Sequence, residues 1–302
     1  MSLRVLVTGA SGYAGGVIAA RLRALGMSVI TAGRAGSNDL RLDLADPRRV
    51  AALDLPAGID ACVHAGAMHE VACRADPQAA YVVNVAGTRA LLQACERAGI
   101  RRLAYLSTFH VYGRPQGELD ESAPPVPAND YGLTHLQAEQ LFELAAGSMG
   151  ASVDILRPAN LYGAPASWDS FDRWTLAPFD FCRQAARDGR IVLHGQGLAV
   201  RNYLDVAHVA EVVAERLQGP GSGLAHLAGK DWRIRDLAEL AAAQASACLG
   251  RSVAVQTGEA QEMQAPAYRY GSRTLVPRAG DERAAMAAFL ARTLAHMTEC
   301  KA

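Results

Sequence analysis

The chain carries Thr8-Gly9-Ala10-Ser11-Gly12-Tyr13-Ala14-Gly15 directly after a short apolar run. Glycines at that spacing let the backbone turn tightly, bring N–H groups up to a pyrophosphate, and let the following helix pack on the preceding strand. The strand before and the helix after give the motif its weight, against the bland reading of a structural turn. At the end of the second strand, Ala32-Gly33-Arg34 lacks the carboxylate that would hold a ribose 2′-hydroxyl. Arg34 offers a guanidinium able to grip a 2′-phosphate. This pattern favours NADP over NAD as the cofactor, with a solvated turn arginine as the alternative. Asp43-Leu44, after the third strand, is placed to hold the adenine, and His64-Ala65-Gly66-Ala67 to line the cofactor floor, unless either pair is only loop chemistry.

These groups need a scaffold, and the pattern supplies one. Short β-branched runs (Arg4 to Val7, Ser28 to Thr31, Ala61 to Val63, Leu103 to Leu106, Val153 to Leu156) alternate with helical stretches (Tyr13 to Leu25, Ala79 to Ala98, Tyr131 to Ala146). Such alternation predicts an α/β fold, a Rossmann-type doubly wound parallel sheet with a smaller C-terminal substrate-binding α/β domain. Residues 1–160 form the NAD(P)-binding part, 198–228 return to it in part, and 161–302 mainly bind substrate. Asp46-Pro47 and Asn129-Asp130 read as helix starts. The proline-rich segment Gly117 to Asn129 reads as a loop. Ala164 to Phe181, rich in aromatics, reads as a lid or substrate pocket, or else as core. Later segments predict a helix over Ala207 to Leu217, a strand over Leu224 to Leu227 and a helix over Ile234 to Leu249.

Composition excludes several classes. Thirty basic and 30 acidic residues cancel among 302, so no field for nucleic acid is implied. The six cysteines are scattered singly, which disfavours zinc, any other metal site and a disulfide framework. No uncharged stretch approaches the ~20 residues of a membrane span and no leader pattern precedes the first strand, so a cytoplasmic protein without membrane contact is expected.

Leu106-Ser107-Thr108-Phe109-His110-Val111-Tyr112-Gly113 ends a strand, and Tyr131-Gly132-Leu133-Thr134-His135 begins a helix. Here the chain resembles, over nearly its whole length, the extended short-chain dehydrogenases, in particular the NAD-dependent epimerase/dehydratase family of sugar-nucleotide enzymes typified by UDP-glucose 4-epimerase. The resemblance implies that Thr108 orients a substrate oxygen, that Tyr131 is the acid/base, and that Asn84 helps organise the site. Hydride exchange between a sugar carbon and nicotinamide requires a proton to move at the attached oxygen. A phenol serves only if its pKa falls from ~10 towards neutrality. The family places a Lys four residues after the Tyr for that purpose, and for holding the nicotinamide ribose; this chain has His135. The expectation is that His135 substitutes at a reduced rate; another cation taking over, or a non-catalytic NAD(P)-binding sensor or scaffold, are the alternatives. His110 and His69 are candidate assistants, more readily read as structural.

By the same resemblance, Arg157-Pro158-Ala159-Asn160-Leu161-Tyr162-Gly163 places Pro158 against the cofactor and Asn160 on a nucleotide diphosphate, and Arg201 pairs with that diphosphate. An internal carboxylate is the bland partner for Arg201. Asn202 stands where the family has Asp, and Tyr268 to Arg273 offers a second phosphate-binding arginine. The implied activity is epimerisation or reduction of a nucleotide-diphosphate sugar, dehydration being disfavoured because Phe109-His110 replaces an Asp-Glu pair. A related enzyme of small carbonyl compounds is a third reading. A homodimer through the helices Ala79 to Ala98 and Tyr131 to Ala146 is also implied.

Overall fold

The computed structural model describes residues 2–220, 222–258, 268–276 and 280–299. Seven strands form one all-parallel sheet: β1 (Arg4–Thr8), β2 (Ser28–Gly33), β3 (Leu40–Arg41), β4 (Ala61–His64), β5 (Arg102–Leu106), β6 (Ser152–Pro158) and β7 (Gly223–Leu227). Their order is β7-β6-β5-β4-β1-β2-β3. The winding direction reverses between β1 and β4, and ligands of such sheets bind at the carboxyl ends of the strands flanking that reversal.

Alternation along each strand sends side chains to both faces, so both are covered by helices. Val5 and Val7 pack with Ile18, Leu22, Val209 and Val213, under the helices Tyr13–Ala24 and Val206–Gln218. Leu6, Leu103 and Tyr105 pack with Leu91, Cys95, Ala138 and Phe142 on the opposite face, under Thr88–Arg97 and Asp130–Met149. A third core joins the helices Ala177–Asp188, Ile234–Leu249 and Glu282–Glu299 around Phe179, Ile191, Leu237 and Phe289. A small sheet sits beside it, with Val200–Asp205 parallel to Asn160–Tyr162 and antiparallel to Lys230–Arg233.

One expectation needs correction. Gly117 to Asn129 is not loop throughout, because Gly117–Leu119 pairs in parallel with Tyr268–Tyr270. A three-residue strand whose partner lies so far along the chain leaves no local alternation to read. For Ala164 to Phe181 the core alternative is the one seen: Phe171 lies 4.5 Å from Phe179 and 4.9 Å from Trp174, and Trp168 stacks on His296 at 4.5 Å. Among the described residues no helix is long and apolar enough to cross a membrane.

Candidate active site

Gly9 turns the chain with φ +68°, and a Cβ there would lie 2.6 Å from Gly66 Cα and 2.7 Å from the Ala65 carbonyl carbon. The turn thus sits directly against the end of β4. Gly12 begins the helix Tyr13–Ala24 without a side-chain cap, and its first turn carries no acidic residue. Backbone donors and the positive end of the helix dipole are left for an anion, which fits the pyrophosphate of a dinucleotide. The Tyr13 side chain is a pin rather than a ligand contact: its hydroxyl donates to the Gly163 carbonyl at 2.8 Å and its ring meets Phe171 edge-on at 5.4 Å. Gly15 is buried against the turn, Ala14 is half-buried, and Ser11 Oγ lies 3.3 Å from where a Gly33 Cβ would be.

Arg34 is exposed and has no hydrogen bond or ion pair among the described residues. Nearby, the Asp39 carboxylate is taken by the Thr31 amide at 2.8 Å and hydroxyl at 2.7 Å. Asp43 Oδ1 accepts the Ala45 N–H at 3.1 Å, and Leu44 is buried, with its carbonyl oxygen 2.6 Å from where a Gly87 Cβ would stand. The expectation that His64 lines the cofactor floor is corrected for its side chain. The imidazole is fully buried, with Nδ1 2.6 Å from Thr8 Oγ1 and Nε2 2.9 Å from Thr88 Oγ1. Burial lowers its pKa to about 3. Ala65 and Gly66 remain to form the floor, through backbone.

Helix Asp130–Met149 starts at Asn129, whose Oδ1 accepts the Gly132 N–H at 2.8 Å. Tyr131, His135 and Glu139 follow at steps of four and so share one face. Thr108 follows the end of β5 and caps the short turn Phe109–Tyr112, its Oγ1 accepting the His110 N–H at 3.2 Å. The half-buried Tyr131 ring meets His135 edge-on at 4.6 Å and His110 at 5.5 Å. Thr108, Tyr131, His110 and His135 therefore form one cluster at the end of the sheet. Asn84 lies in a π-helical turn, Tyr81–Gly87, a distortion frequent at functional sites. Its Oδ1 accepts the Met68 N–H at 2.7 Å and its Nδ2 donates to Thr134 Oγ1 at 3.0 Å, tying the loop after β4 to the Tyr131 helix.

The electrostatics bear on the lysine position. Burial pushes the Tyr131 phenol above its ordinary value, while Thr108 and the charge of Arg173 pull it down. His135 is held neutral, its pKa lowered to about 3 by burial and by its neighbours His110 and His64. It supplies no positive charge at neutral pH, so it does not replace the electrostatic part of a lysine. Arg173, half-buried in the segment that packs over Tyr13, contributes a positive charge that lowers the phenol, ranking after burial and Thr108. Nothing in the spacing of the sequence singles out Arg173; its neighbours Phe171 and Trp174 are the available hint.

On the substrate side, Pro158 is buried and pairs in register with Leu227, while Asn160 Nδ2 donates to the Asn202 carbonyl at 2.9 Å. Arg201 is half-buried, and its Nη1 donates to the Val200 carbonyl at 2.9 Å. Its charge reaches His110, lowering that imidazole further after burial. No carboxylate pairs with Arg201 among the described residues. The arginines expected as a second phosphate contact are instead turned to acids at the surface: Arg269 lies 4.0 Å from Glu118 and Arg273 3.8 Å from Asp120.

The structure explains Asn202. Its Nδ2 donates to the Gly229 carbonyl at 3.0 Å and to Asp231 Oδ1 at 2.6 Å, and its Oδ1 accepts the Gly229 N–H at 2.7 Å. A carboxylate would lose both donors and face Asp231. Asn202→Asp is expected to cost about 1 to 3 kcal/mol in denaturant unfolding, and adding Asp231→Asn is expected to recover most of it. A single variant as stable as the parent would contradict this.

Sequence alone also does not single out Glu139, Arg157 or Tyr105. Glu139 and Arg157 are buried, with Arg157 Nε 2.9 Å from Oε1 and Nη2 2.6 Å from Oε2, and Ser107 Oγ also donates to Oε1. The placement of Glu139 one turn past His135, on the stripe of Ala138 and Phe142, was the available signal.

Comparison with known proteins agrees with this geometry. The sequence model of the NAD dependent epimerase/dehydratase family matches residues 5–228. A UDP-glucose 4-epimerase of Streptomyces lividans is 36% identical over 168 residues, covering 50% of each chain. The chain thus spans half the length of that relative, and likewise of a second UDP-glucose 4-epimerase from Azospirillum brasilense. A 2-alkyl-3-oxoalkanoate reductase of Stenotrophomonas maltophilia is 30% identical over 292 residues, 89% of this chain and 82% of that one. Among solved structures, MoeE5 with UDP-glucose and NAD superposes with a TM-score of 0.78 at 24% identity over 99% of both chains. DesIV, a dTDP-glucose 4,6-dehydratase of Streptomyces venezuelae with NAD bound, gives 0.77 at 25% identity over 98% of this chain and 97% of that one. With its glycine turn, its Tyr131 helix and a match over most of its length, the chain belongs to the NAD dependent epimerase/dehydratase family.

Proposed function

We propose that the protein is an NAD(P)-dependent enzyme that epimerises or reduces a nucleotide-diphosphate sugar by hydride transfer, with Tyr131 as acid/base. The observation that carries the substrate class is Arg201. A half-buried guanidinium whose charge reaches His110, without a carboxylate among the described residues, calls for an anion from the ligand. Asn160, on the adjacent strand, joins it at the diphosphate. The bound dinucleotide supplies a hydride acceptor or donor. Tyr131 takes or returns the proton of the sugar hydroxyl, Thr108 hydrogen-bonds the same oxygen, and Asn84 keeps the helix in place. The dinucleotide is held by the backbone of Gly9, Ser11, Gly12, Tyr13, Ala14 and Gly15, by Asp43 and Leu44 at the adenine, by Ala65, Gly66 and Pro158 along the floor, and by Tyr131 and His135 at the ribose. Gly33 and Arg34 support NADP as the preferred form, unlike MoeE5 and DesIV, whose structures hold NAD.

Residues 1–160, with 198–228 in part, make the dinucleotide half and 161–302 mainly the substrate half. Buried free cysteines (Cys62, Cys73, Cys95, Cys182) suit a reducing cytoplasm. Exposed Val82 and Leu144, on the two helices named for a dimer, suit a homodimer.

A second reading has one observation behind it: a relative matched over 82% of its own length is a 2-alkyl-3-oxoalkanoate reductase. Arg201→Ala separates the two. On a nucleotide sugar it is expected to raise KM about 10- to 100-fold with little change in kcat. On a β-keto acid substrate unaffected by the change, with no turnover of any nucleotide sugar, the nucleotide-sugar assignment falls.

A further inference from the structure

The Tyr105 hydroxyl lies 2.7 Å from Nδ1 of His135, a contact that none of the roles above uses. Both side chains are buried. Tyr105 belongs to β5 and stacks on Phe142 at 4.9 Å, on His64 at 5.6 Å and on His135 at 5.9 Å. Burial keeps the Tyr105 hydroxyl protonated and the His135 ring neutral.

A neutral imidazole has one N–H, and this contact decides which nitrogen carries it. Were the proton on Nδ1, the Tyr105 hydrogen would lack an acceptor among the described residues and Nε2 would be a bare acceptor, leaving two buried groups unpaired. With the phenol donating to Nδ1, a single group is left, the Nε2–H. One buried unpaired group costs less than two. Nε2 of His135 is buried without a hydrogen-bond partner among the described residues. It belongs to a ring that lies edge-to-face against Tyr131 at 4.6 Å, beside the phenol that the cofactor must approach.

We infer that Tyr105 is a positioning residue whose hydroxyl donates to Nδ1, fixes His135 as the Nε2–H tautomer, and so equips it to donate a neutral hydrogen bond to the ribose hydroxyl of the dinucleotide. The inference rests on the dinucleotide reading proposed above. It gives this chain the hydrogen-bonding part of the lysine role and leaves out the charge. Tyr105 touches neither cofactor nor substrate; it acts through His135.

The test uses the full-length protein labelled with ¹⁵N-histidine, with His135 signals assigned by their loss in His135→Gln. Two-bond imidazole spectra of the parent are expected to show one protonated nitrogen, Nε2, unchanged across the neutral range and shifted on adding NADP⁺ or NAD⁺. In Tyr105→Phe the ring is expected to redistribute between tautomers, and calorimetric affinity for the dinucleotide to fall about fivefold. An Nδ1–H tautomer in the parent overturns the inference, and this reading needs no variant to fold. So does a folded Tyr105→Phe that binds as tightly as the parent. A parent that shows Nε2–H yet binds neither dinucleotide overturns the groove assignment instead, and with it the ribose as acceptor.

Discussion

Tyr131→Phe is expected to lower turnover about 10³-fold while weakening dinucleotide binding only about fivefold, the loss of one ribose contact. The substitution removes one oxygen. The ring contacts to His135 at 4.6 Å and His110 at 5.5 Å remain, as does the phosphate turn. What disappears is the group placed beside Thr108 to exchange a proton with the sugar hydroxyl. A positioned general acid or base contributes about 10²- to 10⁴-fold, so the loss should appear in kcat far more than in binding. The pH profile carries a second part of the same prediction. Burial raises the Tyr131 phenol and His135 is neutral, so little of the basic form exists at neutral pH. The rate of sugar oxidation should therefore climb with pH through and beyond neutrality. His135→Lys would bring an ammonium to the phenol, move that limb to lower pH and raise the rate at neutrality. Reduced-nicotinamide absorbance across a pH series reads both effects. A Tyr131→Phe variant with parental turnover, or a His135→Lys profile that shifts upward, would show that the proton moves elsewhere.

The largest effect on stability is expected at Glu139. Its carboxylate pairs with Arg157 at 2.6 Å, both side chains being almost fully buried, and also receives Ser107 Oγ. Arg157 in turn bonds the Tyr112 hydroxyl, which lies 2.7 Å from His226 Nε2. Removing one partner of a buried pair strands the other charge, at a cost of about 3 to 5 kcal/mol. Glu139→Ala should lose that much in urea unfolding. The pair also clamps Ser107, next to Thr108, to the helix that carries Tyr131, so the surviving folded fraction should lose kcat as well. Replacing both partners with apolar residues of similar size should cost less than Glu139→Ala alone, because no charge is then left unpaired. Equal stability of Glu139→Ala and the parent would remove the clamp from the account.

The main sheet and the phosphate turn were legible because β-branched runs and helical periodicity are local properties. Gly9 was legible for the same reason, since a strand–turn–helix needs a residue at positive φ where two strand ends nearly touch. Side-chain direction was not. His64 follows a glycine-turn strand pair in a way that looks cofactor-facing, but in the structure it is locked between Thr8 and Thr88. His135 sits at the lysine position, where an imidazole is already mostly neutral at pH 7, and only the structure shows burial beside His110 and His64 holding it further from charge. The role of Asn202 required knowing that Asp231 and Gly229 arrive beside it from the neighbouring strand, about 30 residues on. Arg173 owes its influence on the phenol to a segment without periodicity, held in place by Phe171 against Tyr13.

The most direct test of the central claim is calorimetric titration of the purified protein with NADP⁺ and NAD⁺. The groove between β1 and β4 predicts saturable binding at one site per chain, tighter for NADP⁺, and abolished by Gly9→Val. Heat from neither dinucleotide, with a protein shown to be folded and free of retained cofactor, would contradict it.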